Sequence, residues 1–425
     1  MSPRPGIGAS AWCAASTAPE KDSPVSCIAD AQLSPDGTCI LTTDYARRFS
    51  VYAFASDLSA QHRQHLAPYA RFASANPIWA FAVNPYFDLN NPQTTTALVS
   101  SRDQYVNLHN ALWGSSSNNE APRQGPVDIS SRLASYKLVD KLTEAVTAPM
   151  SLAWSPDGAY FYAGQRNKIA IFDLTYTEDP IATIRTIPST RNKLKGGGWG
   201  FKGHVSALSA CPPASSTNAN ALAAGTRTRY VGIYDAISSK EITHFALPGM
   251  VNGKRTDNPG LQDSIGDGIT QLKWSPDGRY LYVAERSSDA LLIYDVRNFS
   301  FTLGYCSGRK ALTRQKMGFD VWTQMGREDE GGSHEIWAGG TDGKVRVWRD
   351  PCLREGALDA DEVIDGGDGP TSNVLVHPYG HAAVVSKGEI EVGGEEQGRG
   401  FSRGGVTQPA YSEWGRLDIL GLRSH

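Results

Sequence analysis

The sequence has 425 residues, 20% of them charged and 40% hydrophobic, with a formal net charge of −3. That balance is too apolar and too even in charge for a disordered chain, and 43 glycines without a Gly-x-y period exclude collagen. No run of about 18 apolar residues supplies a membrane span and the N-terminus lacks the apolar stretch of a secretory signal, so a soluble, intracellular protein without a membrane partner is expected.

In chain order, residues 1–24 form an N-terminal segment, in which 9–17 is the candidate for a strand that closes a ring with the other terminus. From residue 25 to 425 a repeat dominates. LSPDG begins at Leu33 and WSPDG begins at Trp154 and again at Trp274. These anchors lie roughly 120 residues apart, three units of about 40, the length of a propeller blade of four strands. Weaker turns at Asn84-Pro85, Pro212-Pro213 and His377-Pro378-Tyr379-Gly380 fill the gaps. Proline presets φ and glycine accepts positive φ, which suits both residues to such turns.

Each turn is followed by an alternating strand: 49–54 (FSVYAF), 105–112 (YVNLHNAL), 169–174 (IAIFDL), 231–236 (VGIYDA), 291–296 (LLIYDV), 345–350 (VRVWRD) and 416–422 (RLDILGL). Alternation with period two places one face of each strand in a packed interface. The expected fold is therefore all-β, a seven-bladed WD-repeat propeller in one domain. Segments 114–135, 249–268, 354–369 and 389–405, rich in Gly, Ser, Asn or acidic residues, are expected as insertions.

The ordered set of blades resembles the telomerase Cajal body WD-repeat protein family over residues 27–389. The resemblance rests on LSPDGTCILTTDYARRFSVYAF, the extended second blade NPIWAFAVNPYFDLNNPQTTTALVSSRDQYVNLHNALWG, PMSLAWSPDGAYFYAGQRNKIAIFDL, GHVSALSACPP, GDGITQLKWSPDGRYLYVAERSSDALLIYDVRN and TSNVLVHPYGHAAVVSKGE. It implies a nuclear protein that binds small Cajal body RNA of the H/ACA type, telomerase RNA in animals, together with ribonucleoprotein proteins. The longer insertions are similar to the fungal branch, whose members are associated with pre-mRNA splicing machinery.

The residues carry their own argument for RNA. The turn joining the second and third strands of each blade projects onto one face of the disc. These turns read YARR, SRDQ, QRNK, TRTR, ERSSD, TDGK and SKGE, and each holds a cation: Arg47, Arg102, Arg166, Arg227, Arg286, Lys344 and Lys387. Arg48, Lys168 and Arg229 add to them. Such a ring attracts phosphate despite the negative total, and Tyr45, Phe49, Tyr105 and Tyr230 lie where they would stack on unpaired bases. The competing reading gives these cations structural contacts with neighbouring blades. Basic stretches at 309–316 and 191–202 extend the charge, whereas the acidic stretch 355–368 is expected on another edge.

No catalytic set stands out. Gly196–Gly200 lacks the Lys-Ser/Thr of a phosphate loop, and His334-Glu335 lacks the second histidine of a zinc protease helix. Gly203-His204 reads as the start of a blade whose histidine makes a buried hydrogen bond. Scattered cysteines without a C-x-x-C pair are expected as buried thiols, so neither metal nor cofactor is expected. The expectation is a monomeric, non-enzymatic RNA-binding factor. The alternative is an interaction scaffold, in which Arg297 after LLIYDV docks onto a cullin ubiquitin ligase adaptor.

Overall fold

The computed structural model describes residues 11–17, 26–55, 58, 63–114, 125–141, 143–187, 200–213, 220–251, 254–255, 265–323, 332–392 and 411–422. Apart from one 3-10 turn at Pro351–Leu353, its regular structure among these residues is β-strand. Seven antiparallel sheets follow one another as the blades of a propeller. Blade 1 runs Ile28–Leu33, Cys39–Asp44, Arg48–Ala53 and Ala70–Ala73, and blade 2 runs Ile78–Val83, Thr96–Ser101, Val106–Asn110 and Arg132–Tyr136. Blade 3 comprises Ser151–Trp154, Tyr160–Gln165, Lys168–Asp173 and Ala182–Arg185; blade 4 comprises Val205–Ala210, Ala221–Thr226, Tyr230–Asp235 and Lys240–Ala246. Blade 5 holds Ile269–Trp274, Tyr280–Glu285, Leu291–Asp295 and Gly304–Cys306, and blade 6 holds Phe319–Trp322, Glu335–Gly339, Lys344–Arg349 and Glu362–Asp365. Blade 7 joins Thr371–Val376, Ala382–Val392 and Tyr411–Leu422 to the N-terminal strand Ala11–Ser16, which pairs antiparallel with Tyr411–Leu422.

The core is a ring of seven apolar layers, one between each pair of adjacent blades. The third strand of blade 3 shows why. In Lys168–Asp173, Ile169 and Ile171 pack toward blade 4, while Ala170 and Phe172 pack toward blade 2. Alternation thus buries both faces of the strand rather than the one its period implied, because every blade is sandwiched between two others. Burying a side chain such as Phe172 contributes roughly 2–3 kcal/mol, and its ring stacks on Phe161 with centroids 5.0 Å apart. Indole N–H groups staple the layers: Trp154 Nε1 donates to Ala82 O at 3.0 Å, and Trp274 Nε1 to Ser209 O at 2.9 Å.

The anchor turns repeat one geometry. Asp36, Asp157 and Asp277 each accept, through Oδ1, from the serine hydroxyl two residues before at 2.5 Å and from the backbone N–H two residues after at 3.0–3.1 Å. The intervening Gly37, Gly158 and Gly278 have φ of 74, 68 and 67°, the left-handed region that a side chain disfavours.

Segments expected as insertions contain strands. Val127–Asp128 adds a fifth strand parallel to Ala70–Ala73 of blade 1 before Arg132–Tyr136 completes blade 2. Gly356–Leu358 does the same to blade 5 before Glu362–Asp365 completes blade 6, and Gln64–His65 straps Ala11–Ser16 of blade 7. Each strap covers a sheet edge that would otherwise offer unpaired N–H and C=O groups. Of 249–268, Met250–Val251 and Lys254–Arg255 form a small hairpin. Of 389–405, residues 389–392 continue the long strand of blade 7, and 393–405 lie outside the described residues.

Candidate nucleic-acid interface

The turns between second and third strands are built on a shared backbone kink. Arg47, Asn167, Arg229 and Gly343 occupy the same place, just before the third strand, with φ of 63, 61, 66 and 75°. Each turn is tied to the start of its own blade: Arg102 N–H donates to Pro77 O at 2.9 Å, Arg227 N–H to His204 O at 3.1 Å and Arg286 N–H to Gly268 O at 2.9 Å. These turns and the starts of the first strands therefore share one face, opposite the SPDG turns.

The side chains on that face do not form a uniform ring. Arg229 is a correction to the expected set: it is 5% exposed and donates from Nε and Nη2 to both carboxylate oxygens of Glu285 at 2.6 Å. It joins blade 4 to blade 5. Lys387 is a second correction: SKGE is not a turn but lies within the strand Ala382–Val392, and Lys387 is 1% exposed, with Nζ 2.9 Å from Asp418 Oδ2 and donating to Gly366 O. Both charges are buried because a neighbouring strand supplies a carboxylate. Arg48 Nε donates to Asp44 at 2.7 Å, and exposed Arg102 lies 3.3 Å from Asp103. Arg47 Nη1 donates to Ala75 O at 2.8 Å, and Lys344 is exposed.

Among the described residues Arg47 and Lys344 have no carboxylate partner either, but the cations that act on one another lie in blades 3–5. Arg166, Lys168, Arg227 and Arg286 have no carboxylate within ion-pair distance among the described residues. Burial and then the Arg286 guanidinium depress the Arg227 pKa. His204 lies among them, paired through its backbone with Arg166 and accepting from Arg227 N–H. The expected buried hydrogen bond of His204 is not formed. Its side chain is exposed, and desolvation followed by the charges of Arg166 and Arg227 lowers its pKa. The cations crowd most closely in an arc over these three blades.

The nominated aromatics separate as well. Phe49 is fully buried between blades 1 and 2, and Tyr230 stacks on Phe201 with centroids 5.7 Å apart. Tyr45 stays 46% exposed, and Tyr105 is half-buried. Trp79, which the sequence reading passed over, is 41% exposed at the start of blade 2 on this same face. Its signal was an aromatic two residues after the proline of ANPIW.

The two basic stretches contribute less than their composition promised. Arg309 is fully buried and donates to Gly318 O at 2.8 Å, and burial drops its pKa to about 10; Lys316 pairs with Asp30 at 2.7 Å. Of 191–202, residues 191–199 lie outside the described residues. The acidic stretch forms outer strands, Gly356–Leu358 and Glu362–Asp365, where Asp361 pairs with Arg354 at 2.7 Å. Arg297 is 81% exposed after the third strand of blade 5, with its guanidinium folded onto Asp295 at 2.5 Å. No group of three or more His, Cys, Asp or Glu gathers to hold a metal among the described residues. No helix there is long and apolar enough to cross a membrane.

No family model matches the chain. Individual proteins do. Guanine nucleotide-binding protein negative regulator 1 of Schizosaccharomyces pombe is 27% identical over 78% of this chain and 73% of its own length. Telomerase Cajal body protein 1 of Homo sapiens is 24% identical over 79% of this chain, a match that spans 51% of the human protein. Protein SWT21 of Kluyveromyces lactis is 24% identical over 73% of this chain and 66% of its own length. Across most of its length the seven-bladed chain is similar to telomerase Cajal body protein 1 and to these fungal proteins.

Proposed function

We propose that the chain is a non-enzymatic nuclear factor that binds small nuclear or small Cajal body RNA and acts in the biogenesis or localisation of small ribonucleoproteins, including those of pre-mRNA splicing. One observation carries this reading: Arg166, Arg227 and Arg286 crowd one arc of the face without a carboxylate partner among the described residues. Like charges held together repel, and an anion that joins them relieves the repulsion. The relatives named for telomerase and the Cajal body support the choice of RNA as that anion.

The test is a salt titration of the full chain with single-stranded RNA. Each neutralised phosphate contributes about −0.7 to the slope of log K against log salt. Replacing Arg166, Arg227 and Arg286 by Gln is expected to weaken binding and flatten the slope by roughly 2. Equal affinity of that variant and the wild type counts against the reading. Sequencing the RNA that co-purifies from cells then separates H/ACA guides from spliceosomal RNA.

A scaffold role is the second reading. A groove of about 600 Å³ between blades 3 and 4, on the SPDG face, is edged by exposed Tyr86, Ile181 and Ile237. The fission-yeast relative's name, a regulator of a guanine nucleotide-binding protein, fits a partner surface. Docking on a cullin adaptor through Arg297 requires that side chain to leave Asp295. Co-purification of an adaptor, lost on Arg297→Ala, is the outcome that supports it.

A further inference from the structure

A cavity of about 660 Å³ opens beside the cation arc, between blades 2 and 3. Pockets of this size hold small organic ligands. One wall is Trp79, and its placement is unusual within the repeat. The first strands of blades 1, 2, 4, 5 and 7 each carry one extra residue against their partner strand: Ala29, Trp79, Ser206, Thr270 and Ser372. A bulge of this kind re-aims a side chain. Four blades spend it on a small residue, and only blade 2 presents an aromatic ring there.

Gln165 lines the same cavity with a side chain that is almost wholly buried. Its Nε2 donates to Thr147 O at 2.8 Å. A backbone carbonyl only accepts, so the amide cannot be turned the other way round. Oε1 is thereby left as a buried acceptor without a donor. Buried acceptors are normally satisfied; Oε1 has almost no accessible surface, so a donor in the cavity reaches it only when the Gln165 side chain turns outward. Arg166 and Lys168 supply positive charge along one side, next to His204. Asp103 and Asp140 lie on the lining too, so a phosphate is tolerated only toward Arg166 and Lys168.

We propose that this cavity receives one unstacked nucleobase of a bound RNA strand. The Trp79 indole is the stacking plane, the Gln165 side chain turns outward so that Oε1 accepts from an exocyclic amino group, and Arg166 with Lys168 neutralises the flanking phosphate. The inference rests on the RNA reading above and adds a preference to it. Adenine, cytosine and guanine carry an exocyclic amino group with two N–H donors, whereas uracil offers only its ring N3–H, set between two carbonyl oxygens that Oε1 repels, and is disfavoured.

The experiment uses the full chain and fluorescent octamers of uridine, either pure or with one central adenosine or cytidine, titrated over a range of salt. Wild type is expected to bind the substituted octamers more tightly. Trp79→Ala loses about tenfold for them, the usual effect of removing one stacking partner, with an unchanged salt slope. Trp79→Phe keeps most of the affinity, which separates stacking from misfolding. Gln165→Met abolishes the preference and leaves pure uridine binding as it was. Salt-dependent binding that is indifferent to Trp79 and Gln165 overturns the pocket alone and leaves the RNA face standing. Absence of binding by any octamer, or Trp79-dependent capture of a peptide in place of RNA, overturns both.

Discussion

The two faces of the propeller carry the same device, a charged residue repeated at a turn, with opposite outcomes. On the SPDG face, Asp36, Asp157 and Asp277 each commit Oδ1 to serine and backbone donors within their own turns. On the other face the repeated residue is a long cation, and its burial requires a partner from another strand. Arg229 and Lys387 find carboxylates and are buried; Arg227, two residues before Arg229, finds none among the described residues and faces another guanidinium. A short carboxylate closes its own turn and is consumed by folding. A long cation is structural only where a neighbour supplies the counter-charge.

Breaking that contrast has graded consequences. Arg229→Ala leaves Glu285 as a buried, unpaired carboxylate and is expected to cost about 3–5 kcal/mol in denaturant unfolding, the largest effect of the set. His377, on the SPDG side of blade 7, comes next. Burial, followed by the charge of His381, whose ring centroid lies 4.2 Å away, lowers its pKa to about 4. The unfolded histidine titrates near the ordinary value of about 6.5, so the unfolded state binds more protons between pH 6.5 and 4. Stability is complete above that window and falls as pH drops through it, by on the order of 1–2 kcal/mol after solvent screening. His377→Gln should flatten this acid limb of the unfolding curve.

A smaller loss is expected for Asp157→Ala, which deprives Ser155 and the Ala159 N–H of their acceptor. About 1 kcal/mol in thermal unfolding is the scale of such a turn bond. Smallest is the change in stability on replacing Arg166, Arg227 and Arg286 together by Gln, within about 0.5 kcal/mol of wild type. A large loss there would show these cations to be structural after all and erase the difference between them and Arg229.

The blades were legible because their signals are local. An SPDG turn needs one glycine at positive φ and one aspartate within bonding reach, and the third strands announce themselves by alternation. The site was legible only in part. A turn sequence such as TRTR places two arginines on the same face, yet it does not say that Glu285 of the next blade waits for Arg229 and that Arg286 confronts Arg227. Trp79 escaped notice because its exposure depends on a bulge, which appears only when the first strand is paired with the second.

By itself, then, the sequence determined the repeat, the blade number and the placement of a cation in the turns of blades 1–6 on one face, whereas Lys387 of blade 7 lies within a strand. Tertiary structure alone decided that acidic and Ser/Asn-rich stretches become straps on the preceding blade, which cations are buried, and which aromatic and which amide side chain line one cavity. The physical reason is range: turn geometry and strand alternation are fixed by neighbours in the chain, whereas desolvation and pairing of a charge depend on what another blade brings beside it.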